Sequence, residues 1–103
     1  MNPNGQKHQQ QLPTARKVRR ACQNELYRTA KRLKHWVPKD KMEAAAELYF
    51  KKVLANMAWI VEHQNNRRKQ ADWWEEHVAP EIAELWDIDR ERLCEAFRDA
   101  YGG

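Results

Sequence analysis

Glycine, proline and cysteine are scarce in this chain of 103 residues, and it has no long apolar run. Three Gly and four Pro leave few breaks, which favours long regular elements. Two cysteines, Cys22 and Cys94, are too few for a disulfide framework and fall on apolar helix faces. No stretch predicts a transmembrane helix, and the first residues do not resemble a signal peptide. We therefore expect a cytoplasmic protein without a membrane partner.

The usual equipment of an enzyme is also missing. The sequence has no glycine-rich phosphate loop and no nucleophile elbow. Its four histidines stand far apart, so no zinc motif forms. Four carboxylates resemble the cluster of all-α nucleotide pyrophosphohydrolases, but Ala79 occupies the third ligand position and Pro80 interrupts the helix. These carboxylates are Glu75, Glu76, Glu81 and Glu84. We expect no catalytic residue, no metal and no cofactor.

What is present is helical periodicity. Charged residues make up 33% of the chain and apolar residues 42%, which is typical of a globular protein. Apolar positions recur at helical spacing, and no alternating strand pattern occurs. The sequence predicts an all-α fold, a compact bundle of four to five helices. Residues 1–12 are polar and Gln-rich and predict a flexible N-terminal leader, followed by a single helical domain over residues 13–103.

The first helix is predicted to run from about Pro13 to Trp36, ending before Pro38. Apolar residues fall within one arc of roughly 120° when the sequence is wound at about 100° per residue. The opposite side is rich in Arg and Lys, and Glu25 is the only acid of this segment. The apolar positions are Ala15, Val18, Cys22, Leu26, Ala30, Leu33 and Val37.

A second helix is predicted to start near Lys41, because Asp40 and Glu43 have the spacing of a capping box. No breaker occurs before Asn65, and the helix is apolar on two sides. We expect it to lie at the centre of the bundle, with its second stripe available to a partner.

The C-terminal part predicts shorter helices. Asp72 and Glu75 form another possible capping box, and Pro80 either breaks a helix or starts a new one. Asp87 or Asp89 can cap a last helix, for which Gly102 is a stop signal.

Charge divides the chain into two unlike parts. Residues 1–41 contain 11 Lys/Arg against 2 Asp/Glu, whereas residues 42–103 contain 8 Lys/Arg against 13 Asp/Glu. Such polarity favours a cationic arm that meets an anionic partner, often nucleic acid. The alternative is that the two parts of the chain neutralise each other.

The basic side of the first helix is the strongest functional signal. Long cations in a row can follow a phosphate backbone, and Tyr27 among them can stack on an unpaired base. A second basic cluster over residues 67–69 would extend this basic surface if the fold places it next to the first helix. The predicted nucleic-acid contacts are Arg16, Lys17, Arg20, Tyr27, Arg28, Lys31, Lys34, Arg67, Arg68 and Lys69.

Tryptophan is abundant, and a protein interface is a second interpretation. Trp73 and Trp74 are adjacent, so we expect that they cannot both point inward and that at least one meets a partner. With the second stripe of the central helix, the predicted partner contacts are Leu48, Trp59, Trp73 and Trp74.

Residues 81–101 resemble a generic helix-turn-helix unit. Ile82, Ala83 and Trp86 take the packing positions of its first helix, residues 87–89 the turn, and Leu93 the core of its second helix. Two features depart from the motif. Asp87 stands where Gly is common, and the second helix carries several acids, which phosphates would repel.

Three hypotheses result. The first is a non-catalytic nucleic-acid-binding protein, DNA or RNA, acting through backbone contacts and as a small subunit of a nucleoprotein complex. The second is a protein–protein adaptor or inhibitor that docks on an acidic surface. The third is a helix-turn-helix transcription regulator, and each is compatible with a homo-oligomer.

Overall fold

The computed structural model describes residues 12–103, which form six α-helices and no strand. The predicted leader therefore lies outside the described residues, except for Leu12. The predicted all-α bundle is confirmed, although it has one helix more than the expected four or five. The helices are α1 (Ala15–Leu33), α2 (Lys39–Ala55), α3 (Met57–Glu62), α4 (Arg67–His77), α5 (Ala79–Trp86) and α6 (Arg90–Tyr101).

Helix α1 is shorter than predicted at both ends. Thr14 is its N-cap, and the Thr14 hydroxyl accepts a hydrogen bond from the backbone N–H of Lys17 at 3.2 Å. The helix ends at Leu33 because Lys34 adopts a left-handed conformation with φ of 55°. Its buried residues follow the predicted arc: Val18, Cys22, Leu26, Thr29 and Leu33.

The predicted second helix is in fact two helices. The amide group of Asn56 donates a hydrogen bond to the carbonyl of Lys52 at 2.9 Å, and α2 ends just before it. A side chain that binds a nearby backbone carbonyl in this way competes with helix continuation. The start was also predicted wrongly. The helix begins at Lys39 after Pro38, so Asp40 lies inside its first turn and is not a cap.

The predicted capping box of Asp72 and Glu75 is wrong as well. Helix α4 begins six residues earlier, where the side chain of Asn66 accepts a hydrogen bond from the backbone N–H of Lys69 at 3.0 Å. Asp72 and Glu75 instead bind the guanidinium of Arg98 on α6, at 2.6 and 2.7 Å. They tie α4 to α6 and do not define a helix end.

The ends of the last two helices agree with the sequence. Pro80 lies in the first turn of α5. Asp89 caps α6 by accepting a hydrogen bond from the backbone N–H of Arg92 at 3.0 Å, and Gly102 ends it with φ of 93°.

Helix α1 packs between α2 and α6, and its largest interface is with α6, while α2 packs in turn against α1 and α5. The core beside this interface is aromatic. The rings of Trp74 and Phe97 stack with centroids 3.8 Å apart, and Tyr49 packs edge-on against both. Within residues 12–103, no helix combines the length and apolar character needed to cross a bilayer. The packing of α1 between α2 and α6 leaves its remaining side facing outward.

Candidate nucleic-acid interface

The outward side of α1 carries a set of exposed cations, called here the basic face. The helix packs its apolar stripe against α2 and α6, so side chains on the other side do not enter the core. No ion pair joins any of these cations to a carboxylate within the described part of the chain. The basic face consists of Arg16, Lys17, Arg20, Arg28, Lys31 and Lys34, all exposed.

Two other cations of α1 are neutralised by acids of the same protein. Arg19 forms an ion pair with Glu47 of α2, and its guanidinium lies 4.0 Å from the ring centroid of Phe50. On the other flank, Arg32 binds Asp99 of α6 at 2.6 Å. Internal neutralisation is therefore limited to the two edges of α1 that contact other helices.

The single acid of α1 does not offset the basic face, because it is turned toward the core. The carboxylate of Glu25 accepts a hydrogen bond from the hydroxyl of Tyr49 at 2.5 Å. Burial raises the pKa of the Glu25 carboxyl above its ordinary value of 4.5, which favours its neutral form. Burial likewise raises the pKa of the Tyr49 hydroxyl, so Tyr49 remains a hydrogen-bond donor. The outer surface of α1 is consequently positive without an intervening acid.

The second basic cluster is only partly joined to this face. Arg67 lies beside the C-terminal end of α6, the helix that packs against one side of α1. The guanidinium of Arg67 already donates to the carbonyl of Tyr101 at 2.8 Å and stacks over its ring at 4.7 Å. Arg68 and Lys69 are exposed, but none of the described hydrogen bonds or ion pairs connects them to α1.

The expectation that Trp73 or Trp74 meets a partner is wrong for this chain, because both side chains are buried, with 7% and 1% of their surface exposed. Trp74 stacks on Phe97 of α6, and Trp73 stacks on Trp59 of α3 at 6.4 Å. Two adjacent residues are thus buried because α4 is covered from two sides. Their indole N–H groups have no hydrogen-bond partner in the described residues.

The other two predicted partner contacts are half-buried. Trp59 lies between Trp73 and His63, whose ring is stacked on it at 4.2 Å. Leu48 lines a shallow depression together with Leu85 of α5. These two residues therefore contact α4 and α5 with part of their surface and remain partly accessible.

The tryptophan that is exposed is Trp36, which the sequence did not single out. Its side chain is 81% exposed, and Tyr27 nearby is 56% exposed. Trp36 lies in the connection between α1 and α2, after the helix end at Leu33. Helical periodicity could not have identified it, because at about 100° per residue Trp36 falls at the same angle as Val18, inside the predicted apolar arc.

In the helix-turn-helix-like segment, Asp87 adopts the left-handed conformation that the motif requires at this turn, with φ of 54°. The cations of α6 point to other parts of the protein. Arg92 donates to the carbonyl of Leu33 at 2.9 Å, and Arg98 binds the two acids of α4. Glu91 and Glu95 remain exposed on the same helix.

Comparison with known proteins adds no further assignment. No protein-family model, no curated protein and no solved structure matches this chain. Among the described residues, no group of three or more His, Cys, Asp and Glu side chains is arranged to hold a metal ion. Cys22 and Cys94 are free and buried, and burial raises the pKa of their thiols to about 12 and about 11.

The basic face has the chemistry of a polyanion-binding surface. Arginine and lysine side chains along one helix can neutralise successive phosphates, and arginine does so with two parallel hydrogen bonds. Because these side chains are exposed and have no carboxylate partner within residues 12–103, no internal ion pair has to break before a phosphate binds. The basic face differs in this respect from α6, where Arg92 and Arg98 are already bound to other parts of the protein.

Proposed function

We propose that the chain is a non-catalytic nucleic-acid-binding protein. The basic face of α1 contacts the sugar-phosphate backbone with little sequence preference, as a small subunit of a larger nucleoprotein assembly would. One observation carries this proposal: five exposed cations lie on one side of α1, with Lys34 directly after its last residue, and the only acid of that helix, Glu25, faces the core. Phosphate contacts of this kind give affinity and position without reading bases.

The other two hypotheses have less support. A helix-turn-helix regulator would place α6 in the major groove, but Arg92 and Arg98 are engaged with other parts of the protein and the exposed Glu91 and Glu95 would face phosphates. An adaptor anchored by Trp73 and Trp74 would need surface that these buried residues do not provide. The exposed Trp36 is the one feature that favours a protein partner.

We also propose a cytoplasmic location, since two free, buried cysteines suit a reducing compartment. A homo-oligomer is compatible with the proposal, because repeated subunits would extend the basic face along a nucleic acid.

The test is a binding titration with labelled DNA and RNA oligonucleotides, each single-stranded and duplex, at low salt. Reversing Arg20, Arg28 and Lys31 to Glu together is expected to abolish measurable binding, because repulsion replaces three phosphate contacts. A control reverses three exposed cations that lie outside the predicted nucleic-acid contacts and form no ion pair within the described residues: Lys41, Lys51 and Arg90. Both triple variants change the net charge equally.

The control is expected to weaken binding much less than the α1 variant. Equal losses in the two variants would mean that net charge, not the basic face, governs binding. No binding of the unmodified protein to any of these nucleic acids, together with pull-down of one protein partner, would refute the proposal and support the adaptor hypothesis. Protein that is purified at low salt and shows no absorbance from bound nucleic acid would also count against nucleic-acid binding.

A further inference from the structure

The two exposed aromatic side chains of the α1–α2 region border one shallow depression. Tyr27 on α1 and Trp36 in the following connection line it, with Val37 and Met42 as its floor, and its volume is about 420 Å³. We call it the Tyr27–Trp36 depression. Lys31 and Lys34 of the basic face line the same depression, and no carboxylate does.

The exposure of Trp36 is unusual within this protein. Trp73, Trp74 and Trp86 are each at most 7% exposed, and Trp59 is stacked between two rings. Trp36 is 81% exposed although it is the largest side chain of its connection. A large flat ring held in water beside cations is a surface on which another flat group can stack.

The charges around the depression indicate the chemistry of the stacking group. The ammonium of Lys31 lies over the ring of Tyr27, 5.0 Å from its centroid, so a cation is held against one face of that ring and the other face is the one on which a base can stack. A neighbouring groove shares Tyr27 and Trp36 and has Glu43 and Glu47 on its far wall, but Arg19 neutralises Glu47. An anionic chain is therefore favoured along the α1 side of the depression, away from Glu43.

We infer that the Tyr27–Trp36 depression binds unpaired bases, so that the protein prefers single-stranded over duplex nucleic acid. This inference rests on the proposed function and names the form of nucleic acid that the basic face receives. Bases stack on Trp36 and Tyr27 while their phosphates contact Lys31 and Lys34. In a duplex the bases are paired and stacked on each other, so they cannot cover these two rings without unstacking.

The experiment compares the affinities of the full chain for short oligo-dT, oligo-U and a mixed-sequence duplex of equal length. Single strands are expected to bind more tightly than the duplex. Trp36→Ala is expected to weaken single-strand binding about 5- to 100-fold, the range typical of losing one stacked base, and to leave duplex binding unchanged. Oligo-dT and oligo-U are expected to bind alike, because base faces and phosphates are common to DNA and RNA.

Three further variants sharpen the result. Trp36→Phe retains a ring and is expected to lose only a few-fold in affinity, while its tryptophan fluorescence no longer responds to binding. Tyr27→Ala is expected to weaken single-strand binding as Trp36→Ala does. Leu54→Ala removes another exposed apolar side chain, remote from both depressions, and is the matched control. Thermal melting is expected to be unchanged by Trp36→Ala, because the ring is outside the core.

The outcomes separate this inference from the proposed function. If α1 charge variants abolish binding but Trp36→Ala and Tyr27→Ala do not alter it, the basic face binds nucleic acid and the proposed stacking on Trp36 and Tyr27 is wrong. Duplex binding as tight as single-strand binding would also overturn the inference. If Trp36→Ala disrupts capture of a protein while nucleic-acid affinity is unchanged, the depression belongs to a protein interface. Failure of every nucleic acid to bind refutes both proposals.

Discussion

The number of cations on the basic face predicts how steeply nucleic-acid binding depends on salt. Each phosphate neutralised by Lys or Arg releases condensed counterions, so the logarithm of the binding constant falls linearly with the logarithm of salt concentration. The slope is about −0.7 per contact for a single strand. The six exposed cations of the basic face, five on α1 and Lys34 directly after it, then give a slope of about −4, equivalent to an affinity loss on the order of 300-fold between about 50 and 200 mM salt.

The length of α1 is compatible with this number of contacts. A helix of 19 residues is about 28 Å long at about 1.5 Å per residue. A strand with the phosphate spacing of a duplex, one phosphate every 3.4 Å or so, presents about eight charges over that distance. Phosphates are therefore not limiting, and the count of exposed cations sets the slope.

The perturbation neutralises Arg20, Arg28 and Lys31 by substitution with Gln, which removes three contacts and leaves three. The slope is expected to fall to about −2, and the affinity loss over the same salt range to about 20-fold. Fluorescence anisotropy of a labelled single strand, titrated at several salt concentrations, measures both slopes. A control neutralises Lys41, Lys51 and Lys52 of α2, where Lys52 is already paired with Glu81. Equal slopes for the unmodified protein and the α1 variant would refute the assignment of these contacts.

Three predictions concern the interior. Glu25→Gln is expected to change stability little near pH 4 but to stabilise the fold increasingly as pH rises above 4.5, because the raised pKa makes ionisation of Glu25 unfavourable in the folded state. If the unfolding free energies of the two proteins, measured by chemical denaturation, change with pH in the same way, this prediction is wrong. Leu26→Ala is expected to cost about 2–5 kcal/mol of unfolding free energy, since Leu26 is fully buried, and a loss below about 1 kcal/mol in urea melts would argue against this packing. Cys22 and Cys94 are expected to resist alkylation at pH 8 until the chain is unfolded, because burial raises the pKa of both thiols. Mass spectrometry measures the labelling, and rapid labelling of the folded protein would contradict this protection.

The helical fold and the basic face could be predicted because both follow from periodicity within one segment. Winding residues 15–33 at the helical period is sufficient to put Leu26 in the core and Lys31 outside it. The caps at Asp89 and Gly102 could be predicted for the same reason, since each depends only on residues within one turn of the helix end.

The remaining features depend on contacts between segments distant in sequence. The burial of both Trp73 and Trp74 requires Trp59 on one side of α4 and Phe97 on another, and no local spacing encodes that arrangement. The exposure of Trp36 likewise results from where the connection between α1 and α2 lies. The break at Asn56 reflects a competition between side-chain and backbone hydrogen bonds that helix propensity alone does not resolve.

The basic face also has an energetic consequence that distinguishes a binding surface from a merely solvated one. Arg20 lies one helical turn from Arg16 and Lys17, and Lys31 from Arg28, and like charges at these spacings destabilise a helix by about 0.2–0.5 kcal/mol per pair. Neutralising Arg20 and Lys31 together removes three such pairs and is therefore expected to raise the unfolding free energy by about 0.6–1.5 kcal/mol while weakening nucleic-acid binding. Chemical denaturation at low salt measures the first effect and the binding titration the second. A double variant that loses stability would mean that these side chains support the fold, and the functional interpretation of the face would fail with it.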